Sequence, residues 1–268
     1  MNGTTAYTPP TVWSWNKESG GRFANINRPI AGATHEKDLP VGRHPLQLYS
    51  LATPNGVKVT VMLEELLALG HAGAEYDAWL IRISEGDQFG SGFVAVNPNS
   101  KIPALLDRSG ATPIRVFESG AILQYLGRKT GLFYPADERG RVEVDQWLFW
   151  QMGGLGPMAG QAHHFRIYAP EKIPYAIERY TNEVHRLYGV MNRQLKDRDY
   201  LAGAYSIADM ACIGWAKLWE RQGQDIEEFP HFKAWLARML ARPAVQRGLS
   251  VNLDERAKLD LAKDQQAR

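Results

Sequence analysis

Thr53, Pro54 and Asn55 lie where a short apolar run meets a helical pattern, and side chains of these types could hold an anion. Thr53 is a favoured N-cap residue, and Pro54 is a favoured first helical residue. Such a turn directs backbone N–H groups and the positive end of the helix dipole beyond the strand. Donors placed there could stabilise an anion or a thiolate. A plain helix cap is the alternative, and the turn alone does not decide between the two.

The turn requires a strand before it and a helix after it. Pro45 to Leu51 reads as the strand, and apolar residues at helical spacing then continue as far as Gly70. Glu75 to Ile83 is rich in β-forming residues, which predicts a second strand and a βαβ unit. A polar, glycine-rich connection that contains Gln88 follows over residues 84–98.

A second group of strands follows this unit. Pro103 lies at the start of a short apolar strand, where a proline suggests a cis peptide bond. A hairpin turn leads into a strand over residues 113–117, and Glu118 and Ser119 then open a helix that ends at Gly131. The predicted order is therefore βαβ followed by ββα.

Beyond Pro135 the strand signals stop, and helical patterns continue almost to the end of the chain. We therefore expect a domain boundary near this residue. Pro174 to Leu195 is predicted to be a long helix, and Ser206 with Asp209 resembles a capping box that opens another. The glycines of residues 153–160 follow no strand and lack the spacing of a dinucleotide-binding loop.

Composition limits the classes of function. The 268 residues are 44% hydrophobic, which is enough for one large or two medium domains. The 31 basic and 29 acidic residues give a net charge of +2, and no basic run suggests a nucleic-acid partner. No apolar run approaches the roughly 20 residues that span a bilayer, and Met1 to Trp15 lacks a signal-peptide pattern. We expect a cytoplasmic protein without membrane contact.

Cys212 is the only cysteine in the sequence. A single cysteine excludes an intramolecular disulfide, a Cys-x-x-Cys redox pair and a cysteine-rich zinc site. Its position in an apolar helical run predicts a buried, inert thiol. Any thiol chemistry must therefore use a sulfur from another molecule.

The N-terminal residues from Met1 to Arg43 carry Pro, Gly, Asn and Thr without a sustained period, which predicts an irregular extension. Trp13, Trp15 and Phe23 would be costly to leave in water. We therefore expect the extension to dock on the rest of the protein, bringing the polar run around Asn27 to a surface.

This order of elements, with a proline before the third strand, resembles the cytosolic glutathione transferase family. The resemblance covers about Pro45 to Gly248 and is carried by four segments. These are the turn from Ser50 to Lys58, Lys101-Ile102-Pro103-Ala104-Leu105, Phe117-Glu118-Ser119 and Ser206-Ile207-Ala208-Asp209. The resemblance implies an α/β thioredoxin-like N-terminal domain (residues 45–133) followed by an all-α glutathione-transferase C-terminal domain (134–250). An extension (1–44) and a polar tail (251–268) would flank them.

The resemblance also implies roles around bound glutathione, an extended tripeptide thiol with a carboxylate at each end. Thr53 and Asn55 are the expected catalytic donors to its thiolate, with Pro54 beside them, whereas Tyr49 lies inside the strand and is expected to be packed. Such donors at a helix start lower a thiol pKa from about 8.5 towards neutrality. The other residues expected to bind glutathione are Gln88, Lys101, Ile102, Pro103, Glu118 and Ser119.

The run Ala24-Asn25-Ile26-Asn27-Arg28-Pro29 is further similar to the bacterial and fungal Nu-class (ure2p-like) enzymes, which are glutathione-dependent disulfide reductases. That resemblance implies two glutathione molecules, or their disulfide, in each site of a homodimer. Asn27 and Gln151 would lie near the second glutathione. Arg179 would reach in from the partner subunit.

Three functions follow as hypotheses. The first is a glutathione-dependent disulfide-bond oxidoreductase, whose bound thiolate attacks a small disulfide and could equally reduce an organic hydroperoxide. The second is a transferase that conjugates glutathione to electrophiles. The third is a glutathione-transferase-like binding protein without turnover. The departure from a serine or tyrosine at the catalytic turn favours the first over the second.

Overall fold

The computed structural model describes residues 7–16, 26 and 28–254. Within these residues four strands form one sheet: β1 (Leu46–Ser50), β2 (Tyr76–Leu80), β3 (Ala104–Asp107) and β4 (Ile114–Phe117). The strand order is β2-β1-β3-β4; β2 runs parallel to β1, whereas β3 is antiparallel to both β1 and β4. The predicted order of βαβ and ββα is confirmed, although the first two strands are shorter than predicted.

Helices surround the sheet and then form the C-terminal half. They are α1 (Gly56–Ala68), α2 (Ser91–Val96), α3 (Ser119–Thr130), α4 (Glu138–Trp150), α5 (Gly156–His163), α6 (Pro174–Gln194), α7 (Ile207–Ala216), α8 (Pro230–Leu240) and α9 (Pro243–Ser250). Two π-helical turns, Gln151–Leu155 and His164–Tyr168, flank α5. No helix in the described part of the chain combines the length and apolar content that crossing a bilayer would require.

Strand β1 is one of the two interior strands of the sheet, and all five of its residues are buried. Its one amide side chain is fully hydrogen-bonded: Gln47 accepts from Trp79 Nε1 at 2.8 Å and donates to Asp77 at 2.8 Å. Tyr49, also buried, donates its hydroxyl to the carbonyl of Pro40. The prediction that Tyr49 is a packed aromatic is confirmed.

Helix α1 lies between the sheet and the C-terminal helices, and ten of its 13 residues are buried. It packs against α3, α7 and α9. At Gly248 of α9 a Cβ would lie 2.5 Å from the Cα of Val61, so only glycine permits this approach. Arg242 donates to both carboxylate oxygens of buried Glu65, at 2.6 and 2.9 Å. One hydrophobic core therefore extends across both halves of the chain.

The N-terminal extension docks through its backbone. The N–H of Thr34 donates to the carbonyl of Phe89, and residues 91–92 donate to carbonyls of residues 35–37. Lys37 pairs with Asp87 at 2.7 Å. The prediction that the aromatic side chains of the extension are buried is wrong for the single chain, in which Trp13 is 66% exposed and Trp15 is 42% exposed. Phe23 lies outside the described residues.

The capping box that opens α7 is confirmed. Ser206 accepts from the N–H of Ala208, and the Asp209 carboxylate accepts from the N–H of Ser206. Asp209 is fully buried and also accepts from Trp235 Nε1 at 2.9 Å. Burial raises the pKa of the Asp209 carboxyl to about 6, although the hydrogen bonds that it accepts lower the pKa. The box therefore anchors the start of α7, the helix that contacts the turn after β1.

Candidate active site

The turn after β1 has the capping chemistry predicted for it. The Thr53 hydroxyl accepts from the N–H of Gly56 at 3.1 Å, and its carbonyl accepts from the N–H of Val57 at 3.0 Å. Regular helix begins at Gly56 with Asn55 at the N-cap position, two residues later than the sequence predicted, and the Thr53 bonds close the turn that precedes it. The turn lies directly between the carboxyl end of β1 and the start of α1.

Helix α7 closes over the turn from the other half of the chain. At Gly214 a Cβ would lie 2.1 Å from the carbonyl oxygen of Pro54. The adjacent Trp215 donates its Nε1 to the Asn55 Oδ1 at 3.2 Å. With that oxygen engaged, the Asn55 amide nitrogen is the atom left to donate elsewhere.

A cleft of about 600 Å³ separates the two halves and brings several predicted site residues together. Its wall on the sheet side includes Asn55 and Glu118, and its wall on the helical side includes Gln151, Tyr168 and Trp215. Thr53 and Ser119 adjoin this lining as neighbours of Asn55 and Glu118 in the chain. The cleft thus contains polar donors from both halves with aromatic rings beside them.

The start of α3 forms one end of the cleft. Glu118 has a φ of 68°, a backbone conformation that costs about 1–3 kcal/mol for a residue with a side chain and is typical of ligand clamps. Its carboxylate accepts from Asn99 Nδ2 at 3.4 Å. Ser119 is buried and heads the helix, so its hydroxyl lies beside the free N–H groups of the first turn.

The segment before β3 lies between the turn after β1 and the start of α3. The Ile102–Pro103 peptide bond is cis, as predicted. Ala104 pairs with Tyr49 on one side and with Phe117 on the other, so the register places Pro103 between Ser50 and Glu118. The Lys101 carbonyl accepts from Asn97 Nδ2, and partial burial lowers the Lys101 pKa.

Two of the predicted binding residues, Gln88 and Arg179, do not line this cleft. Gln88 is buried and donates to the carbonyl of Ile83 at 3.0 Å, and its Oε1 has no partner among the described residues. Arg179 is exposed on α6 and lines a separate groove of about 830 Å³ with Tyr175 and Glu183. Asn27 lies outside the described residues. The predicted functions of all three stay predictions.

Lys58 is a cleft residue that the sequence analysis did not single out. It is 1% exposed, and its Nζ donates to Gln151 Oε1 at 2.7 Å and to Ser119 Oγ at 3.3 Å. Burial lowers the pKa of Lys58 to about 7, although attraction to Cys212 and Glu118 raises it. The sequence does contain one sign of this position: Lys58 follows Asn55 by three residues, so the two side chains lie on the same side of the start of α1.

The sole cysteine is buried, as predicted. Cys212 is fully buried in α7, and burial raises the pKa of its thiol. Among the described residues no group of three or more His, Cys, Asp and Glu side chains could hold a metal ion. Two consecutive histidines lie at the end of α5 and just after it: His163 is buried and stacks on Tyr168, whereas His164 lines the cleft.

Comparison with known proteins agrees with this architecture. The family model for the glutathione S-transferase N-terminal domain matches residues 44–128, and that for the glutathione S-transferase C-terminal domain matches residues 157–243. The disulfide-bond oxidoreductase YghU of Escherichia coli (strain K12) is 56% identical over 254 residues, covering 92% of this chain and 88% of that protein.

Solved structures extend the comparison. The crystal structure of glutathione transferase YghU from Streptococcus pneumoniae, complexed with glutathione, has a TM-score of 0.87 and 48% identity, covering 92% of this chain and 98% of that one. A glutathione transferase from Burkholderia graminis, with two glutathione molecules bound per subunit, has a TM-score of 0.71 and 43% identity, covering 77% of this chain and 88% of that one. The chain described here belongs to the glutathione S-transferase family.

Proposed function

We propose that this chain is a glutathione-dependent disulfide-bond oxidoreductase of the Nu class that uses the thiolate of bound glutathione and no cysteine of its own. The observation that carries the proposal is a donor-bearing helix start, Thr53–Asn55, at a cleft of a chain whose only cysteine is fully buried. The name of the Escherichia coli relative and the glutathione bound in the related structures support it. A cytoplasmic location is part of the proposal, because the reduced glutathione pool there supplies the cosubstrate.

In this proposal the first glutathione lies across the edge of the sheet where β1 and β4 end and β3 begins. Its γ-glutamyl carboxylate binds at Ser119, and Glu118 faces its ammonium group. The peptide groups of Ile102, before Pro103, pair with its cysteinyl backbone as an added strand would. Its thiolate is held by the Thr53 hydroxyl and the Asn55 amide beside Pro54. Gln88 and Lys101 serve the glycyl end.

The reaction has two thiol–disulfide exchanges. The bound glutathione thiolate attacks one sulfur of the substrate disulfide; a mixed disulfide forms, and the other sulfur leaves as a thiolate that takes a proton. The thiolate of a second glutathione then attacks the glutathione sulfur of that mixed disulfide. Glutathione disulfide forms and the second substrate thiol leaves, so two glutathione molecules are oxidised for each disulfide reduced. The second glutathione is assigned to Asn27 and Gln151 of the same subunit and to Arg179 of the partner subunit.

Turnover of the wild-type protein with two substrates tests the proposed function. With glutathione and bis(2-hydroxyethyl) disulfide, we expect glutathione disulfide to form well above the spontaneous rate, measured through glutathione reductase and NADPH. With 1-chloro-2,4-dinitrobenzene, we expect little conjugate. Efficient conjugation without disulfide turnover would assign the protein to the conjugating transferases, and no turnover of either substrate would assign it to the binding proteins.

Replacement of the only cysteine is expected to leave this activity largely intact. Cys212→Ala removes a buried sulfur and leaves a small cavity, which costs stability of about 1 kcal/mol but removes no group in contact with the ligand. The disulfide assay and a thermal melt check the two effects separately. A folded variant without turnover would refute the cysteine-independent mechanism.

Arg179 provides a prediction about assembly. In a C2 homodimer its guanidinium would contact the second glutathione of the other subunit. Arg179→Ala should therefore weaken binding of the second glutathione by about tenfold without changing the melting temperature. Arg193→Ala, an exposed arginine on the same helix, is the matched control. If calorimetry gave the same second-site affinity for both variants, Arg179 would be removed from the site.

A further inference from the structure

Lys58 carries an amino group that is buried beside the cleft, and no carboxylate of the described residues is bonded to it. Its Nζ donates to Gln151 Oε1 at 2.7 Å, Ser119 Oγ at 3.3 Å and Met152 Sδ at 3.4 Å, and all three acceptors are neutral. A fully buried lysine is rare unless an opposite charge compensates it, because removing the ammonium from water costs several kcal/mol. Its surroundings thus supply hydrogen bonds for an ammonium but no bonded negative charge.

The other titratable groups around Lys58 do not fill that role. Glu118, on the start of α3, is exposed and its carboxylate is bonded to Asn99. Cys212, on α7, has a raised thiol pKa and stays neutral. His164 lines the helical wall of the cleft. Glu118 attracts Lys58 without bonding to it, so a molecule in the cleft would supply the bonded negative charge that the described residues do not provide.

The position of Nζ identifies which part of a ligand it would meet. Ser119, one of its acceptors, is the first residue of α3, where free N–H groups and the helix dipole favour an anion. Gln151, another acceptor, is fully buried, and its Nε2 has no partner among the described residues. Because Lys58 engages the Gln151 oxygen, the amide hydrogens of that side chain remain for a ligand.

We propose that Lys58 is a ligand-binding residue of this cleft: its ammonium is the counter-charge for a carboxylate bound at the start of α3, and it takes up a proton as that carboxylate binds. The inference rests on the proposed function, because it takes the carboxylate to belong to glutathione. It also gives Lys58 a place between two subsites, since its Nζ bridges Ser119, assigned to the first glutathione, and Gln151, assigned to the second.

The linkage between binding and pH has a definite sign. In the free protein burial lowers the pKa of Lys58 to about 7, so the neutral and charged forms coexist near neutral pH. A bound carboxylate stabilises the charged form and raises this pKa. Affinity is therefore full below pH 7 and falls as the pH rises towards the pKa of the complex, and at pH 7 binding takes up about half a proton per ligand.

Calorimetry with S-methylglutathione tests this proposal, because that ligand keeps both carboxylates and has no thiol to ionise. Titrations at pH 7 in Hepes and in Tris, which differ in ionisation enthalpy, give the number of protons bound. We expect uptake of about half a proton by the wild type and by the exposed control Lys196→Met. Lys58→Met should show no uptake and about tenfold weaker binding at pH 6.5. Equal uptake by Lys58→Met and the wild type would overturn the proposal.

A second measurement needs no variant, in case Lys58→Met does not fold. The dissociation constant of the wild type for S-methylglutathione should be constant between pH 6 and 6.5 and rise between pH 7.5 and 8.5. A dissociation constant independent of pH over this range would refute the role of Lys58 while leaving the disulfide assay, and with it the proposed function, untouched. A protein that turns over disulfides but does not bind S-methylglutathione would refute the carboxylate contact, whereas loss of both binding and turnover would remove the proposed function as well.

Discussion

Replacing Thr53 and Asn55 together by alanine is expected to lower kcat/KM for bis(2-hydroxyethyl) disulfide by about ten- to several-hundred-fold. This corresponds to one to a few kcal/mol of barrier, the range measured when donors to a developing negative charge are removed from other enzymes. The physical reason is the loss of both side-chain donors at the start of α1, which leaves the thiolate with backbone N–H groups alone. Part of the change acts on folding, because loss of the Thr53 cap costs about 1 kcal/mol of stability.

Matched variants separate thiolate stabilisation from capping. Thr53→Ser keeps a hydroxyl for the cap and the ligand and should keep most activity. Asn55→Asp has nearly the same shape and can still accept from Trp215, but it replaces the amide donor by a negative charge. It should therefore raise the pKa of bound glutathione, read from thiolate absorbance against pH, above the wild-type value. An unchanged thiol pKa in Asn55→Asp would show that this side chain does not face the sulfur.

Gly214→Ala is expected to lower both stability and activity. A Cβ at this position would lie 2.1 Å from the Pro54 carbonyl oxygen, so α7 or the turn after β1 must move. Overpacking of this kind costs about 1–3 kcal/mol, and backbone contact places this case at the upper end. We expect the melting temperature to fall by about 5–10 °C and the turnover of disulfide to fall with it, because Asn55 moves with the turn.

Gly189→Ala is the control for Gly214→Ala. It also lies inside a helix, but a Cβ there meets nothing within 4 Å. Alanine is favoured over glycine by about 0.5–1 kcal/mol in a helix interior, so this variant should melt at the same temperature or slightly higher. If the two variants melted alike and kept full activity, the close contact between α7 and the turn would not constrain the site.

The features that the sequence predicted well are local. The Thr53 cap, the cis peptide bond at Pro103 and the Ser206–Asp209 capping box each depend on residues within a few positions of one another. Their geometry follows from backbone hydrogen bonding and proline chemistry, which act over the same short range. The alternation of strand and helix patterns likewise predicted the order of strands and helices along the chain, apart from the lengths of the first strands.

The features that the sequence did not predict are set by distant parts of the chain. Lys58 lies in a helix whose burial depends on α7 and α9, so its isolation from water cannot be seen in the local sequence. The bond from Trp215 to Asn55 joins residues 160 positions apart. Trp13 was expected to be buried because it is apolar, but the extension docks by backbone bonds that do not involve this side chain. The position of the Trp13 side chain depends on tertiary contacts of the extension, which amino-acid composition does not specify.

Function requires its own measurement, because one fold supports different chemistries through changes in a few site residues. The central claim is that both of the thiolates that attack during disulfide reduction belong to glutathione and neither belongs to the protein. Mass analysis of acid-quenched turnover by the wild-type protein, with glutathione and bis(2-hydroxyethyl) disulfide, observes those sulfurs directly. The account predicts a protein of unchanged mass, a free mixed disulfide as intermediate, and one glutathione disulfide formed per substrate reduced. Protein carrying glutathione or substrate on Cys212 during turnover would contradict it.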